Sequence, residues 1–139
     1  MIKSKQASKF TIEELVPETV FNQRGEKAWQ LIDTKLIENL DALRSQLGVP
    51  MTCNNWANGG SRQESGLRIV GQEYYSPYSQ HSFGRAVDLV CSVGSNEIRR
   101  MIRNKEIMLP HAATFESGVP WLHMDVRNML NDQTYFFDA

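Results

Sequence analysis

Cysteine is scarce in this chain: Cys53 and Cys91 are the only two among 139 residues. They form no CxxC pair, which argues against a cysteine zinc site. They fall on separate expected strands, where free cysteine packs as a small apolar side chain, and no disulfide is expected in a reducing compartment. An excess of charge of one sign is also missing, with 15 Lys and Arg against 16 Asp and Glu and a net charge of −1. No basic run and no alternation of basic and aromatic residues occurs, so nucleic acid is not an expected partner. No stretch approaches the ~18 consecutive apolar residues of a membrane helix, so no membrane span is expected. The basic start Met1–Gln6 leads into no apolar run, so no signal peptide is read and synthesis in a cytoplasm is expected. HExxH, G-x-S-x-G, a Walker loop and a recognisable Cys–His pair are all absent, which removes the chemistries those patterns carry.

What remains is the composition of a soluble globular protein, 41% hydrophobic and 22% charged. We read residues 1–139 as a single domain large enough to bury a core, with 1–25 as an N-terminal arm and helix. Thr11 and Glu14 form a capping box flanked by Phe10 and Leu15, and Pro17 interrupts or restarts that helix. Residues 26–47 give the clearest helical pattern. Trp29, Ile32, Leu36, Leu40, Leu43 and Leu47 recur at spacings of three and four, and Gly48 followed by Pro50 supplies the stop. Met51–Trp56 reads as a strand leaving that helix.

The chemistry concentrates in Ser79-Gln80-His81-Ser82-Phe83-Gly84-Arg85-Ala86-Val87-Asp88-Leu89. His81 and Asp88 stand seven positions apart, with Gly84 between them permitting a sharp turn. Ala86–Cys91 reads as a buried strand, and an aspartate inside it is costly unless its charge is compensated. A metal ion is one such partner, with His81 as a second ligand; a helix cap or a salt-bridged aspartate is the plainer alternative. A second stretch, Val119–Arg127, alternates so that Leu122, Met124 and Val126 share one face while Trp121, His123 and Asp125 share the other. Two histidines and one aspartate would give three protein ligands and leave a fourth position open, as catalytic zinc sites do.

His81-x6-Asp88, followed about 35 positions later by Trp121-Leu122-His123, resembles the ligand set of the LAS zinc metallopeptidases. That group includes D-Ala-D-Ala carboxypeptidases, vancomycin-resistance D,D-dipeptidases, phage L-alanyl-D-glutamate endolysins and the hedgehog signalling domain. Its S-x-H-x-x-G-x-A-x-D pattern is met by Ser79, His81, Gly84, Ala86 and Asp88. The resemblance spans roughly residues 50 to 127 and is closest to small phage or prophage members. It implies one Zn2+ held by His81, Asp88 and His123. The implied fold is α+β, hedgehog/DD-peptidase-like, with a small, mostly antiparallel sheet flanked by helices.

The same resemblance suggests roles for further residues. Ser65-Gly66-Leu67-Arg68 is similar to the family's S-G-x-R stretch, so Arg68 is the first choice for binding a substrate carboxylate or oxyanion, with Arg62 the alternative. Phe115-Glu116-Ser117 resembles the hedgehog-type context of a glutamate base, with one extra residue before the histidine. The D,D-peptidases place an acid three positions before the histidine, where this chain has Pro120. Asp125 is therefore kept as a second candidate, either as base or as the group orienting a ligand histidine.

Residues 57–80 form a long polar loop running straight into His81, expected to wall the active site with Tyr74, Tyr75 and Tyr78. Ser95–Lys105 reads as a helix with apolar Ile98, Met101 and Ile102 and solvated arginines. Ala112–Glu116 and the stretch after Pro120 form a hairpin with Glu116 at its tip, and Thr134–Phe137 makes a last strand at an edge. His111 is read as structural. The expected activity is hydrolysis of amide bonds in peptidoglycan stem peptides, as a carboxypeptidase or endopeptidase of a phage or prophage lysin. Delivery to the wall by a holin or a virion is expected. The alternative is a non-catalytic zinc-binding interaction module of a phage particle.

Overall fold

Among the described residues, the first apolar ones to be buried are Phe10, Ile12, Leu15 and Val16, on and around a single 3-10 turn, Ile12–Glu14. Glu14 closes that turn by accepting from the Thr11 backbone N–H at 2.7 Å. The turn closes at Leu15, and Pro17 stands at the N-terminus of helix α1 (Glu18–Arg24). The computed structural model describes residues 8–128 and 131–138; the basic start Met1–Gln6 lies outside them.

The stripe from Trp29 to Leu43 is buried as its spacing requires, but it does not lie on one helix. Gly25–Leu31 is a 3-10 segment, Ile32 is extended, and α2 begins only at Thr34 and runs to Leu47. The break has a local and a tertiary cause. Asp33 caps α2 by accepting from the Lys35 backbone at 2.9 Å, and its own N–H donates to the Gly84 carbonyl at 2.9 Å. Gly48, in the left-handed region at φ 69°, ends α2 where the sequence places the stop.

Five strands follow: β1 (Met51–Thr52), β2 (Ala86–Cys91), β3 (Thr114–Ser117), β4 (Leu122–Asp125) and β5 (Tyr135–Asp138). The strand expected over Met51–Trp56 is thus only two residues long. Trp56 instead opens a short 3-10 turn, and its indole donates to the Val16 carbonyl at 2.9 Å. The sheet order is β1-β2-β4-β3-β5, antiparallel throughout except for the parallel pair β3–β5, so the sheet is mixed and β5 is an edge. Helix α3 (Ser95–Arg103) connects β2 to the hairpin. The architecture is α+β.

Residues paired in register share a face of the sheet. Val87, Met124, Phe115 and Phe136 form one row across four strands and, except for the partly buried Phe136, are buried toward the helices. The neighbouring row is Asp88, His123, Glu116 and Phe137, and it points the other way. Every polar residue of interest on the strands therefore lies on the side away from the main core.

One reading of α3 needs correction. Its arginines are not all solvated: Arg99 is 2% exposed. Its guanidinium donates to the carbonyls of Glu116, Val119 and Trp121 at 3.2, 3.0 and 3.1 Å, and to Asn96 Oδ1 at 2.6 Å. Arg100, by contrast, is exposed and pairs with Glu97 and Glu106.

Candidate metal centre

Three short pieces of chain bring the ligand-type side chains together. His81 sits on a 3-10 turn, Gln80–Phe83, capped at its start by the Ser79 hydroxyl and ended by Gly84 at φ 69°. Gly84 is required twice over: by its left-handed backbone, and because a Cβ there would collide with the Leu31 carbonyl oxygen. Asp88 lies in the middle of β2 and His123 opposite it on β4. One ligand atom from each of His81, Asp88 and His123 lies within 4.8 Å of the others.

The hydrogen bonds fix which atoms face the centre. His81 Nδ1 lies 2.8 Å from the Gly66 carbonyl, an acceptor, so Nδ1 donates there and Nε2 is the nitrogen turned to the centre. That Nε2 is 3.4 Å from Asp88 Oδ1. His123 Nδ1 is 2.9 Å from the same oxygen, while His123 Nε2 is 2.7 Å from Asp125 Oδ2. Asp125 is fully buried and also accepts from Arg127, Nε at 2.8 Å and Nη2 at 2.6 Å. Both of its oxygens are engaged, and its position behind the ring is that of a carboxylate orienting a ligand histidine. Phe137 packs edge-on to His123 at 6.0 Å between centroids, and the Arg127 guanidinium lies over Phe137.

The charges are strongly coupled. Burial opposes ionisation of Asp88, but hydrogen bonds from His123 and His81 outweigh it and hold the carboxyl well below the usual range. Burial likewise opposes a charge on His123; its bonds to Asp125 and Asp88 prevail and raise it to about 9. Asp125 is lowered in the same manner, burial being overcome by Arg127 and His123.

The donor set fits a divalent metal ion. Ligand atoms about 2.0–2.1 Å from a tetrahedral centre stand about 3.3 Å from one another, close to the two spacings made by Asp88 Oδ1. Two imidazole nitrogens and one carboxylate oxygen, each with an outer partner fixing its orientation, suit zinc and other first-row ions. His81, Asp88 and His123 could together hold one such ion.

Comparison with family models, with curated proteins and with solved structures returns no match. The reading of the centre therefore rests on its own geometry.

A cleft of about 990 Å³ opens onto the cluster. His81, Asp88, His123 and Glu116 line it from the sheet side, Trp121 from the hairpin, and Arg62, Arg68 and Tyr74 from the 57–80 loop. Glu116 is half-buried and faces His123 across the β3–β4 pair. Tyr75 and Tyr78 do not line the cleft, and Tyr78 is exposed. His111 lies elsewhere, its ring 2.9 Å from Glu38 and its backbone bound to Asn39. Among the described residues no helix is long and apolar enough to cross a membrane.

The two arginines differ. Arg62 is exposed, and its side chain makes no hydrogen bond or ion pair to a described residue. Arg68 is held, with Nε donating to the Glu64 carbonyl at 2.7 Å and Nη2 to Asp88 Oδ2 at 3.2 Å.

Three contributors escaped the sequence reading: Arg99, Arg127 and the Gly66 carbonyl. Arg99 falls on the same helical stripe as Ile98 and Ile102, a signal that its charge masks. Arg127 continues the alternation of His123 and Asp125. Nothing in the sequence announces a backbone carbonyl as the partner of His81.

Proposed function

We propose that the chain is a zinc-dependent peptidase of the LAS type, with a hedgehog/DD-peptidase-like fold, that hydrolyses amide bonds in peptidoglycan stem peptides as part of a phage or prophage lysin. The observation that carries the reading is the convergence of His81, Asp88 and His123 at the floor of an open cleft, with a carboxylate, Glu116, on the neighbouring strand. The spacing that resembles the family's motif thus coincides with a spatial cluster.

In this reading His81 Nε2, Asp88 Oδ1 and His123 Nδ1 hold the ion. Bound zinc supplies a Lewis acid that polarises a carbonyl and acidifies water. Glu116 takes a proton from the attacking water and passes it to the leaving amine. Asp125 orients His123 and is too fully engaged to act as the base. Arg62, exposed at the cleft, offers its fork to a substrate carboxylate or a developing oxyanion. Tyr74 and Trp121 give the peptide amphipathic walls.

The test is mass spectrometry of fragments released from purified peptidoglycan, with zinc, with a chelator, and with His123→Ala and Glu116→Gln. Zinc-dependent release of defined fragments, abolished by His123→Ala and reduced at least ~100-fold by Glu116→Gln, is expected for loss of a general base. Stoichiometric zinc binding with no release under any condition would instead favour a non-catalytic binding module.

A further inference from the structure

Asp88 has two oxygens and only one of them faces the histidines. Oδ1 lies 2.9 Å from His123 Nδ1 and 3.4 Å from His81 Nε2. Oδ2 is turned to Arg68 Nη2 at 3.2 Å. A carboxylate left to itself can bind a metal through one oxygen or both, and larger oxygen-seeking ions favour the higher coordination that two oxygens allow.

Arg68 is built in rather than laid on. Its side chain is anchored at Nε by the Glu64 carbonyl, and its backbone N–H donates to the His81 carbonyl at 3.2 Å. The segment behind it is fastened on three sides. Ser65 N–H donates to Asn54 Oδ1, Leu67 N–H to the Leu15 carbonyl, and Asp88 N–H to the Ser65 carbonyl at 2.7 Å. Gly66 fits only as glycine, since a Cβ would run into the Leu15 carbonyl oxygen. Glu64–Arg68 thus grips His81 through Gly66 and Asp88 through both Ser65 and Arg68. The side chains of Arg68 and Asp88 are 17% and 15% exposed, so water competes little for their contact.

We propose that Arg68 holds Asp88 as a one-oxygen ligand, and thereby sets the centre's coordination number and its preference for zinc over larger oxygen-seeking ions such as Mn2+. Arg68 is then a positioning residue of the metal centre, and Arg62 is the arginine left to meet substrate. The proposal rests on the metal-binding part of the reading above and not on its peptidase part.

The experiment uses the whole chain with Co2+ as a spectroscopic probe, alongside competition titrations of Zn2+ and Mn2+. The variants are Arg68→Gln, which removes the charge, and Arg68→Lys, which keeps it but loses the planar fork. The wild type is expected to give the strong visible absorption of four-coordinate cobalt. Arg68→Gln is expected to weaken that absorption several-fold and lower zinc affinity about 10–100-fold, with Mn2+ affinity held or raised. Arg68→Lys should fall between, and it carries the test alone if Arg68→Gln does not fold. An unchanged spectrum and an unchanged zinc-to-manganese ratio in a folded variant would overturn the proposal. So would loss of all metal binding by both folded variants, or a weak five- or six-coordinate spectrum in the wild type. A wild type that binds four-coordinate cobalt yet releases no wall peptide strikes the peptidase reading and leaves this one standing. A wild type that binds no cobalt ends both.

Discussion

His123 has a carboxylate at each ring nitrogen, Asp88 at Nδ1 and Asp125 at Nε2. Without a metal both nitrogens serve best as donors, which is why the ring holds its proton up to about 9 although burial works against it. A metal needs the Nδ1 lone pair, so it must displace that proton. Below about 9 metal uptake should therefore release close to one proton, and affinity should rise about tenfold per pH unit between about 7 and 9, then level. Calorimetry at pH 7.5 in two buffers of different ionisation enthalpy reads the proton count directly. Equal apparent enthalpies in the two buffers would mean that His123 is already neutral in the metal-free protein. The stability of the metal-free protein carries the opposite sign. A histidine raised on folding contributes fully below its unfolded value near 6.5, and that contribution is lost as pH rises through about 9. Alkaline conditions thus weaken the empty protein while strengthening its grip on metal.

At the scale of elements, the β3–β4 hairpin is held from behind by α3. Arg99 supplies donors to three carbonyls of the hairpin, Glu116 on β3 and Val119 and Trp121 in the turn, and the described structure gives it carbonyl, amide and hydroxyl oxygens rather than a carboxylate. Arg99→Met removes those donors from a buried place and should cost about 1–3 kcal/mol, the range for orphaned buried polar groups. Urea unfolding of the metal-free protein measures it, and an unchanged midpoint would show that the turn holds itself. Metal affinity should change little, because the ligands stand on the 80–83 turn, β2 and β4. This clamp was hidden in the sequence because a charged residue on a short helix reads as solvated, whatever its position on the stripe. The long helix expected over 26–47 fails for a related reason. Its apolar spacing is continuous through Ile32, but the backbone break answers to the Gly84 carbonyl, about 50 residues away. Strands β2 and β4 were legible, β2 as a short apolar run and β4 by a period of two with one polar face, signals that need no distant partner to be recognised. So was the pairing of Glu116 near His123, because a tight Ser117–Pro120 turn leaves few registers.

On the scale of the whole molecule, His81 and His123 are 42 residues apart and are joined through Asp88 on the strand between them. The unfolded chain has no such site, so metal binding free energy adds to folding free energy. Zinc at about a hundredfold excess over Kd should stabilise the fold by about 2.7 kcal/mol, which for a domain of this length raises Tm by about 8 °C. The side chains of the centre also satisfy one another, with Arg68 and Arg127 at its two ends and His123 shared between Asp88 and Asp125. That network makes a specific forecast: the chelated protein stays folded, and melts cooperatively at a lower temperature, instead of unfolding as small zinc modules do. His123→Ala should melt below the chelated wild type and show no zinc response, because it loses the ligand and takes one charged partner each from the buried Asp88 and Asp125 carboxylates. Thermal melts of wild type and variant, each with zinc and with chelator, separate the possibilities. If zinc leaves the wild-type Tm where chelator puts it, the His–Asp–His cluster is a self-sufficient ion-pair network, and the metal centre is not the reason for its geometry.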